Sequence, residues 1–269
     1  MAQDVTVLVR DLMSKNPKTV YFDSTVSKAI DVMAANDIGS VVVLDNSGPL
    51  GIFTERDLLS KVLASDEPLE YLLIEEVMSR SLVEIRPDQS FEQAVKMMNA
   101  KKDRLVVFED GELTGIVTAT DLVRTMYKLG KNFDISNFIT KNVATVHANT
   151  DVDLVIQKMD ETRIGSVVVG KDGEILGLFT ERDLLKKVLA PKANLNAPIV
   201  EFMSKPLITG KFRLGGWEAS HIMVENKIKR LPILKDGKLV GIITARDLVQ
   251  AFGAVLHEQL LELAASHAL

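Results

Sequence analysis

The chain reads as an α/β protein built from four copies of one strand, helix, strand, strand, helix unit. Three observations predict this. First, a Thr-x-x-Asp block preceded by Gly-apolar-apolar recurs as Thr54 to Asp57 after Gly51, Thr118 to Asp121 after Gly115, Thr180 to Asp183 after Gly177, and Thr244 to Asp247 after Gly241. Successive aspartates stand 64, 62 and 64 residues apart, and fixed-period self-similarity marks a repeat architecture. Second, each block closes a nearly continuous apolar stretch broken by turn residues and opens one with helical spacing. Third, the copies form two classes: 38–64 and 164–190 are identical at 19 of 27 positions, 104–123 and 230–249 at 12 of 20.

Repeat 1 (residues 8–64) opens with Val9-Arg10-Asp11-Leu12-Met13-Ser14, and Lys18-Thr19-Val20-Tyr21-Phe22 reads as a strand from its β-branched and aromatic content. Val26, Ala29, Ile30 and Met33 fall at i, i+3, i+4 and i+7, predicting a helix capped by Ser24 or Thr25. Gly39-Ser40-Val41-Val42-Val43-Leu44 predicts a strand buried on both faces. A turn at 45–49 leads to a second strand, and Leu58, Leu59, Val62 and Leu63 return to helical spacing. Repeat 2 (72–128) places a strand near 81–85, Phe91, Ala94, Val95 and Met98 on its helix, and Asp110-Gly111 between its last strands, a two-residue hairpin signal. Repeat 3 (136–190) places Val152, Val155, Ile156 and Met159 likewise.

Repeat 4 (198–250) departs most. Gly210 to Trp217 replaces the polar turn and cap, Ala219, Ile222 and Met223 suggest a helix face shifted by one residue, and Trp217 reads either as core or as a plug in the cleft. The tail, 250–269, continues the last helix with Phe252, Leu256, Leu260 and Leu263 broadly on one side, a stripe expected to dock on the parent domain or on a second copy. Like motifs lie 126 residues apart. A duplicated two-repeat module is therefore expected, with domains at 1–130 and 131–269, linkers at 65–71 and 191–198 and a junction at 130–136.

Composition narrows the function. With 46% hydrophobic and 26% charged residues in 269, the chain can bury ample core. Neither a long apolar run nor a signal peptide is visible, so a soluble, cytoplasmic protein without a membrane span is expected. Zero cysteines exclude disulfides and thiolate chemistry, and the net charge of −5 argues against a nucleic-acid partner held by phosphate contacts. His147, His221, His257 and His267 are scattered, and no catalytic triad, phosphate loop or zinc-helix spacing is present, so an enzyme has no sequence support and no metal site is expected.

The four in-phase blocks closely resemble the CBS (cystathionine-β-synthase) domain family, whose signature is Gly-apolar-x-Thr/Ser-x-x-Asp leading into a helix. The resemblance covers roughly residues 8–250. It implies paired repeats in pseudo-twofold Bateman modules, two modules in a disc-like assembly, and clefts that take AMP, ADP, ATP or S-adenosylmethionine. A regulatory protein that reports occupancy to an unidentified partner follows from it; an interaction scaffold with vestigial clefts is the alternative, and a nucleotide-acting enzyme the least supported.

The resemblance assigns ribose contacts to Asp57, Asp121, Asp183 and Asp247 and hydroxyl contacts to Thr54, Thr118, Thr180 and Thr244. A carboxylate at a helix start can accept from two ribose hydroxyls, while the helix N-terminus favours anions. The bland reading of the same residues is a capping box, which needs no ligand. Arg56, Arg182 and Arg246 are candidate phosphate clamps or else solvated helix residues; Thr120 replaces arginine in repeat 2. Aligned back from the block glycine, Arg104 and Arg230 occupy the place of Ser40 and Ser166, which follow Gly39 and Gly165. With Lys101, Lys102, Lys227 and Lys229 they make repeats 2 and 4 the more cationic walls. The first strands, Thr19-Val20, Leu82-Val83, Thr145-Val146 and Ile208-Thr209, match the place where the family holds an adenine. Ligand with or without magnesium, no obligatory cofactor, and a homodimer complete the expectation.

Overall fold

The computed structural model describes residues 6–63, 67–100 and 104–266. Each repeat forms a small sheet with its first strand parallel and its hairpin antiparallel to the middle strand. In repeat 1 these are Thr19–Tyr21, Ser40–Asp45 and Gly48–Thr54, with helix Val26–Ala35 between the first two. Repeats 2, 3 and 4 follow with middle strands Arg104–Glu109, Ser166–Lys171 and Arg230–Lys235 and helices Phe91–Ala100, Val152–Glu161 and Gly216–Glu225. Asp110-Gly111, Asp172-Gly173 and Asp236-Gly237 turn the hairpins with both residues at positive φ, the type I′ geometry that suits strand twist. Val41, Val42 and Val43 are all buried, so the expected two-faced burial holds. In repeat 2 the first strand narrows to Glu84–Ile85, and in repeat 4 it is Gly210–Lys211, so Leu82-Val83 and Ile208-Thr209 precede their strands.

The helices bury the predicted faces: Val26, Ala29, Ile30 and Met33; Phe91, Ala94, Val95 and Met98; Val152, Val155, Ile156 and Met159. Helix Gly216–Glu225 corrects the expected register shift. Its buried face is Gly216, Ala219, Ser220 and Met223, the same spacing as elsewhere. A serine had hidden the pattern; the Ser220 hydroxyl donates to Gly216 O at 2.7 Å and so enters the core satisfied.

Contacts divide the chain into two compact units: Pro17–Leu82 with Val143–Leu207, which joins repeats 1 and 3, and Met1–Asn16 with Val83–Asn142 and Ile208–Leu269, which joins repeats 2 and 4. The partition differs from the halves 1–130 and 131–269. Two physical reasons are visible. In the first of these units, helix Val26–Ala35 packs on the turns at Leu184–Leu189 while Val152–Glu161 packs on Leu58–Val62, a reciprocal arrangement of two like repeats. In the other, Ala119–Leu129 packs on Gly216–Glu225 and Ala245–Ser266 on Phe91–Ala100.

The second reason is an exchange of lead-in segments between sequence neighbours. Ser14 and Lys15 pair antiparallel with Ile116 and Gly115 of repeat 2, whereas Ser79 pairs with Ile52 of repeat 1. Thr140 pairs with Ile242, and Ser204 with Leu178. This explains the glycine of the repeated block. A Cβ on Gly51 would lie 2.7 Å from Ser79 O, and one on Gly177 2.6 Å from Ser204 O, so only glycine lets the exchanged backbone lie on the strand. The same segments and linkers close the helix starts: Val26 N donates to Leu72 O, Phe91 N to Val7 O, Val152 N to Ala197 O and Gly216 N to Phe133 O, at 2.8–3.0 Å. These satisfy N-terminal N–H groups that would otherwise be orphaned.

The unit of repeats 2 and 4 also settles the tail and Trp217. Helix Ala245–Ser266 inserts Phe252 between Phe91 and Phe133, with ring centroids at 5.5 and 5.3 Å. Leu256 is partly buried, but Leu260 is 62% and Leu261 57% exposed, so the stripe docks only over its first turns. The Leu263 side chain, His267, Lys101, Lys102 and part of the 65–71 linker lie outside the described residues. The Trp217 indole N–H donates to Tyr127 O at 3.2 Å and its ring lies 5.5 Å from His221, which stacks on Tyr127. Trp217 is thus a packing residue against helix Ala119–Leu129.

Candidate functional site

Each Thr-x-x-Asp block sits where the last strand of a sheet turns into a helix. The threonine keeps extended backbone while the aspartate lies in the first helical turn, so its carboxylate folds back on the strand end. Oδ2 accepts from the threonine N–H at 3.0, 2.8, 2.9 and 2.7 Å for Asp57, Asp121, Asp183 and Asp247, and from the threonine hydroxyl at 2.6–2.8 Å in all four. The aspartate N–H returns a bond to the threonine hydroxyl at 57, 183 and 247. The reciprocal capping box is therefore complete at 57, 183 and 247, and Asp121 makes its carboxylate half. It occupies one carboxylate oxygen.

The second oxygen separates the four corners. Asp57 Oδ1 holds Lys61 Nζ at 2.6 Å and accepts from Ser79 Oγ at 3.4 Å. Asp183 Oδ1 holds Lys187 at 2.7 Å and accepts from Ser204 at 2.7 Å. Asp121 Oδ1 takes Arg124 at 3.2 Å and Ser14 at 3.4 Å. The serines come from the exchanged lead-in segments, so each of these carboxylates also ties the exchange down. At Asp247 the i+4 residue is Ala251 and the exchanged residue is Thr140. Among the described residues no cation comes within ion-pair distance of Asp247, which is half-buried where the other three are buried.

The strand register brings the expected wall residues onto these corners. Ser40 lies directly across from Thr54, Arg104 from Thr118, Ser166 from Thr180 and Arg230 from Thr244. Thr19 and Val20 pair with Val42 and Val43, and Thr145 and Val146 with Val168 and Val169, so Thr19 and Thr145 stand one strand over and two residues in from Ser40 and Ser166. Repeats 1 and 3 thus have small hydroxyl walls, and repeats 2 and 4 have guanidinium walls. Arg246 is exposed.

Arg56 and Arg182 are turned toward the partner repeat of their unit. Arg56 Nη1 meets Glu181 Oε1 at 3.3 Å, and Arg182 Nε meets Glu55 Oε1 at 3.1 Å. Arg182 and Lys186 also reach Asp37, at 3.2 and 2.8 Å. The reading of a solvated helix face gives way for both arginines to a reciprocal ion-pair lattice between repeats 1 and 3.

Glu55 and Glu181, 4% and 8% exposed, are the residues that sequence reasoning passed over. A signal existed. A Cβ on Gly39 would lie 2.8 Å from the Glu55 carboxylate, and Gly39 with Glu55 recurs as Gly165 with Glu181. In repeat 4 both change together, to Lys229 and Ala245.

Four small sheets with hairpin-to-helix Thr-x-x-Asp corners, taken with the family comparison, place the chain in a class. Residues 9–64, 74–128, 135–190 and 199–254 each match the CBS domain, and the chain belongs to that family. Among curated proteins it is similar to the uncharacterized protein MJ1404 of Methanocaldococcus jannaschii, 28% identical across 90% of this chain and 61% of that protein. It is also similar to the CBS domain-containing protein CBSCBSPB2 of Arabidopsis thaliana, 26% identical across 90% of this chain and 53% of that one. The chain therefore spans a little over half the length of these relatives. The crystal structure of MJ1225 from Methanocaldococcus jannaschii, described as a proposed archaeal homolog of g-AMPK, superposes with a TM-score of 0.78 over 91% of this chain and 100% of that one. A conserved uncharacterized protein of Pyrococcus horikoshii reaches 0.63 over 91% and 99%. At 22% and 21% identity both establish the fold. Among the described residues no helix is long and apolar enough to cross a membrane, and no cluster of three potential metal ligands occurs.

Proposed function

We propose that the chain is a regulatory sensor that takes an adenine nucleotide, AMP, ADP or ATP with or without magnesium, or S-adenosylmethionine, at its Thr-x-x-Asp corners and passes occupancy to a partner protein. The observation that supports this most is the division of labour within each carboxylate. Capping uses Oδ2 alone, so a helix cap and a hydroxyl acceptor coexist in one side chain. Asp247, with no cation on Oδ1 among the described residues and Arg230 across from Thr244, is the corner where a ribose hydroxyl meets least competition. A ligand bound there shifts the population of arrangements only by its differential affinity for them. In repeats 1 and 3 a lysine ammonium already sits on Oδ1, so a ligand hydroxyl binds there only by displacing it. Isothermal titration with AMP, ADP, ATP and S-adenosylmethionine tests the proposal: saturable binding weakened by Asp247→Asn supports it, and no heat at millimolar ligand refutes it.

A further inference from the structure

Repeats 1 and 3 carry their ligand-binding chemistry already matched by internal groups. Lys61 and Lys187 sit on the aspartates, and Glu181 and Glu55 sit on the arginines. The charges are unequal in setting: the Arg56 and Arg182 side chains are 39% and 30% exposed, whereas the glutamates are buried against the opposite repeat. An incoming anion can reach the guanidiniums; the glutamates are the buried groups it would have to replace, with the exposed Asp37 a further partner of Arg182. Both glutamates lie next to the corner threonines, Glu55 after Thr54 and Glu181 after Thr180, and Ala119 and Ala245 take their places in repeats 2 and 4.

We infer that Glu55 and Glu181 are specificity-determining residues for the phosphate portion of the ligand. Each occupies a guanidinium as a stand-in carboxylate, so a ligand phosphate binds in repeats 1 and 3 only by taking Arg56 or Arg182 from its glutamate. A guanidinium donates to carboxylate and phosphate oxygens alike, and each arginine here meets its glutamate through a single nitrogen, at 3.3 Å for Arg56 and 3.1 Å for Arg182, which leaves further donors for an incoming phosphate. A phosphate-free nucleoside does not enter this competition. The corners of repeats 1 and 3 therefore discriminate by anionic charge, whereas in repeats 2 and 4 alanine, Ala119 and Ala245, stands at the glutamate position.

The inference rests on the nucleotide reading above, and its test separates the two. ADP and adenosine are titrated into the full chain and into Glu55→Gln/Glu181→Gln, which keeps the side-chain shape and removes the charge. ADP affinity should rise about fivefold, the size of a part-exposed ion pair, while adenosine affinity stays constant. A merely structural role for the glutamates would move both ligands together. If both bind the wild type and the ratio of their affinities is unchanged or falls in the variant, the inference is overturned and the nucleotide reading stands. If neither binds the wild type, both fall. Should the double variant lose its folded baseline, Glu181→Gln alone carries the measurement, with a smaller rise in the ADP to adenosine ratio expected and an unchanged ratio again decisive against it.

Discussion

Replacing Asp57 and Asp247 by alanine, one at a time and without ligand, should expose how differently the four corners are built. In Asp57→Ala the buried Thr54 N–H and hydroxyl lose their acceptor, Ser79 loses its cross-segment partner, and Lys61 is left against the strand end. The Thr54 hydroxyl's lost acceptor costs about 1 kcal/mol, while the backbone N–H of residue 57 keeps its bond to that hydroxyl. The stranded buried N–H adds about 1–2 kcal/mol. The Lys61 pair, whose ammonium side is 38% exposed, adds well under about 1 kcal/mol after screening. The sum, about 2–4 kcal/mol, corresponds to a fall in Tm of roughly 5–12 °C for a chain of this size. Asp247→Ala loses the same two threonine bonds, but the site is half-buried, water can reach the freed N–H, and no ammonium is released, so about 1 kcal/mol and a few degrees are expected. Urea denaturation followed by circular dichroism gives both values. Equal losses in the two variants, or a larger loss for Asp247→Ala, would refute the idea that exchange-linked carboxylates hold the fold while Asp247 is spared for another task.

Other outcomes follow from the packing. Gly216→Val drives its side chain into the Phe133 ring and should destabilise by about 1–3 kcal/mol, with Phe133→Ala in the same chain recovering part of the loss in a double-mutant cycle. Phe252→Ala removes a ring held between Phe91 and Phe133 and should cost about 3–5 kcal/mol in chemical denaturation, whereas Leu260→Ser should change stability by less than about 0.5 kcal/mol. Lys61→Met/Lys187→Met should strengthen nucleotide binding relative to wild type if the lysines compete with ligand hydroxyls, and titration calorimetry showing no gain would confine binding to the other two repeats.

Most of the local fold is legible in the sequence because it is set by short-range physics. Periodicity placed the three apolar helices on their observed faces, Asp-Gly pairs fixed the hairpins, and the repeated Gly-apolar-apolar-Thr marked each strand-to-helix turn. Alignment back from the block glycine also put Ser40, Ser166, Arg104 and Arg230 at one structural position, directly across from the threonines. What escaped is long-range or masked by a single polar atom. Ser220 broke an apolar pattern because its hydroxyl is satisfied within its own helix. The Met-Ser and Ile-Thr lead-ins carry no hint that they lie on a neighbour's sheet, since a two-residue pairing has no period of its own. Arg56 and Arg182 looked available for ligand because their partners, Glu55 and Glu181, lie about 125 residues away in sequence, beyond any local rule.

The exchanged lead-ins also set an order of completion during synthesis. Ser14 and Lys15 emerge well before their partners Gly115 and Ile116, which follow roughly 100 residues later, several seconds at ordinary elongation rates. The sheet of repeat 1 closes sooner, once Ser79 arrives beside Ile52, but its unit still waits for Ser204 to reach Leu178. The unit that holds Ser14 and Lys15 also needs Ala245–Ser266, so it is finished only after that later helix has been made. A ribosome stalled before repeat 4 would hold a chain in which Leu178 still lacks Ser204 and Phe91 still lacks Phe252, a stage at which apolar surface is exposed to a chaperone or to aggregation.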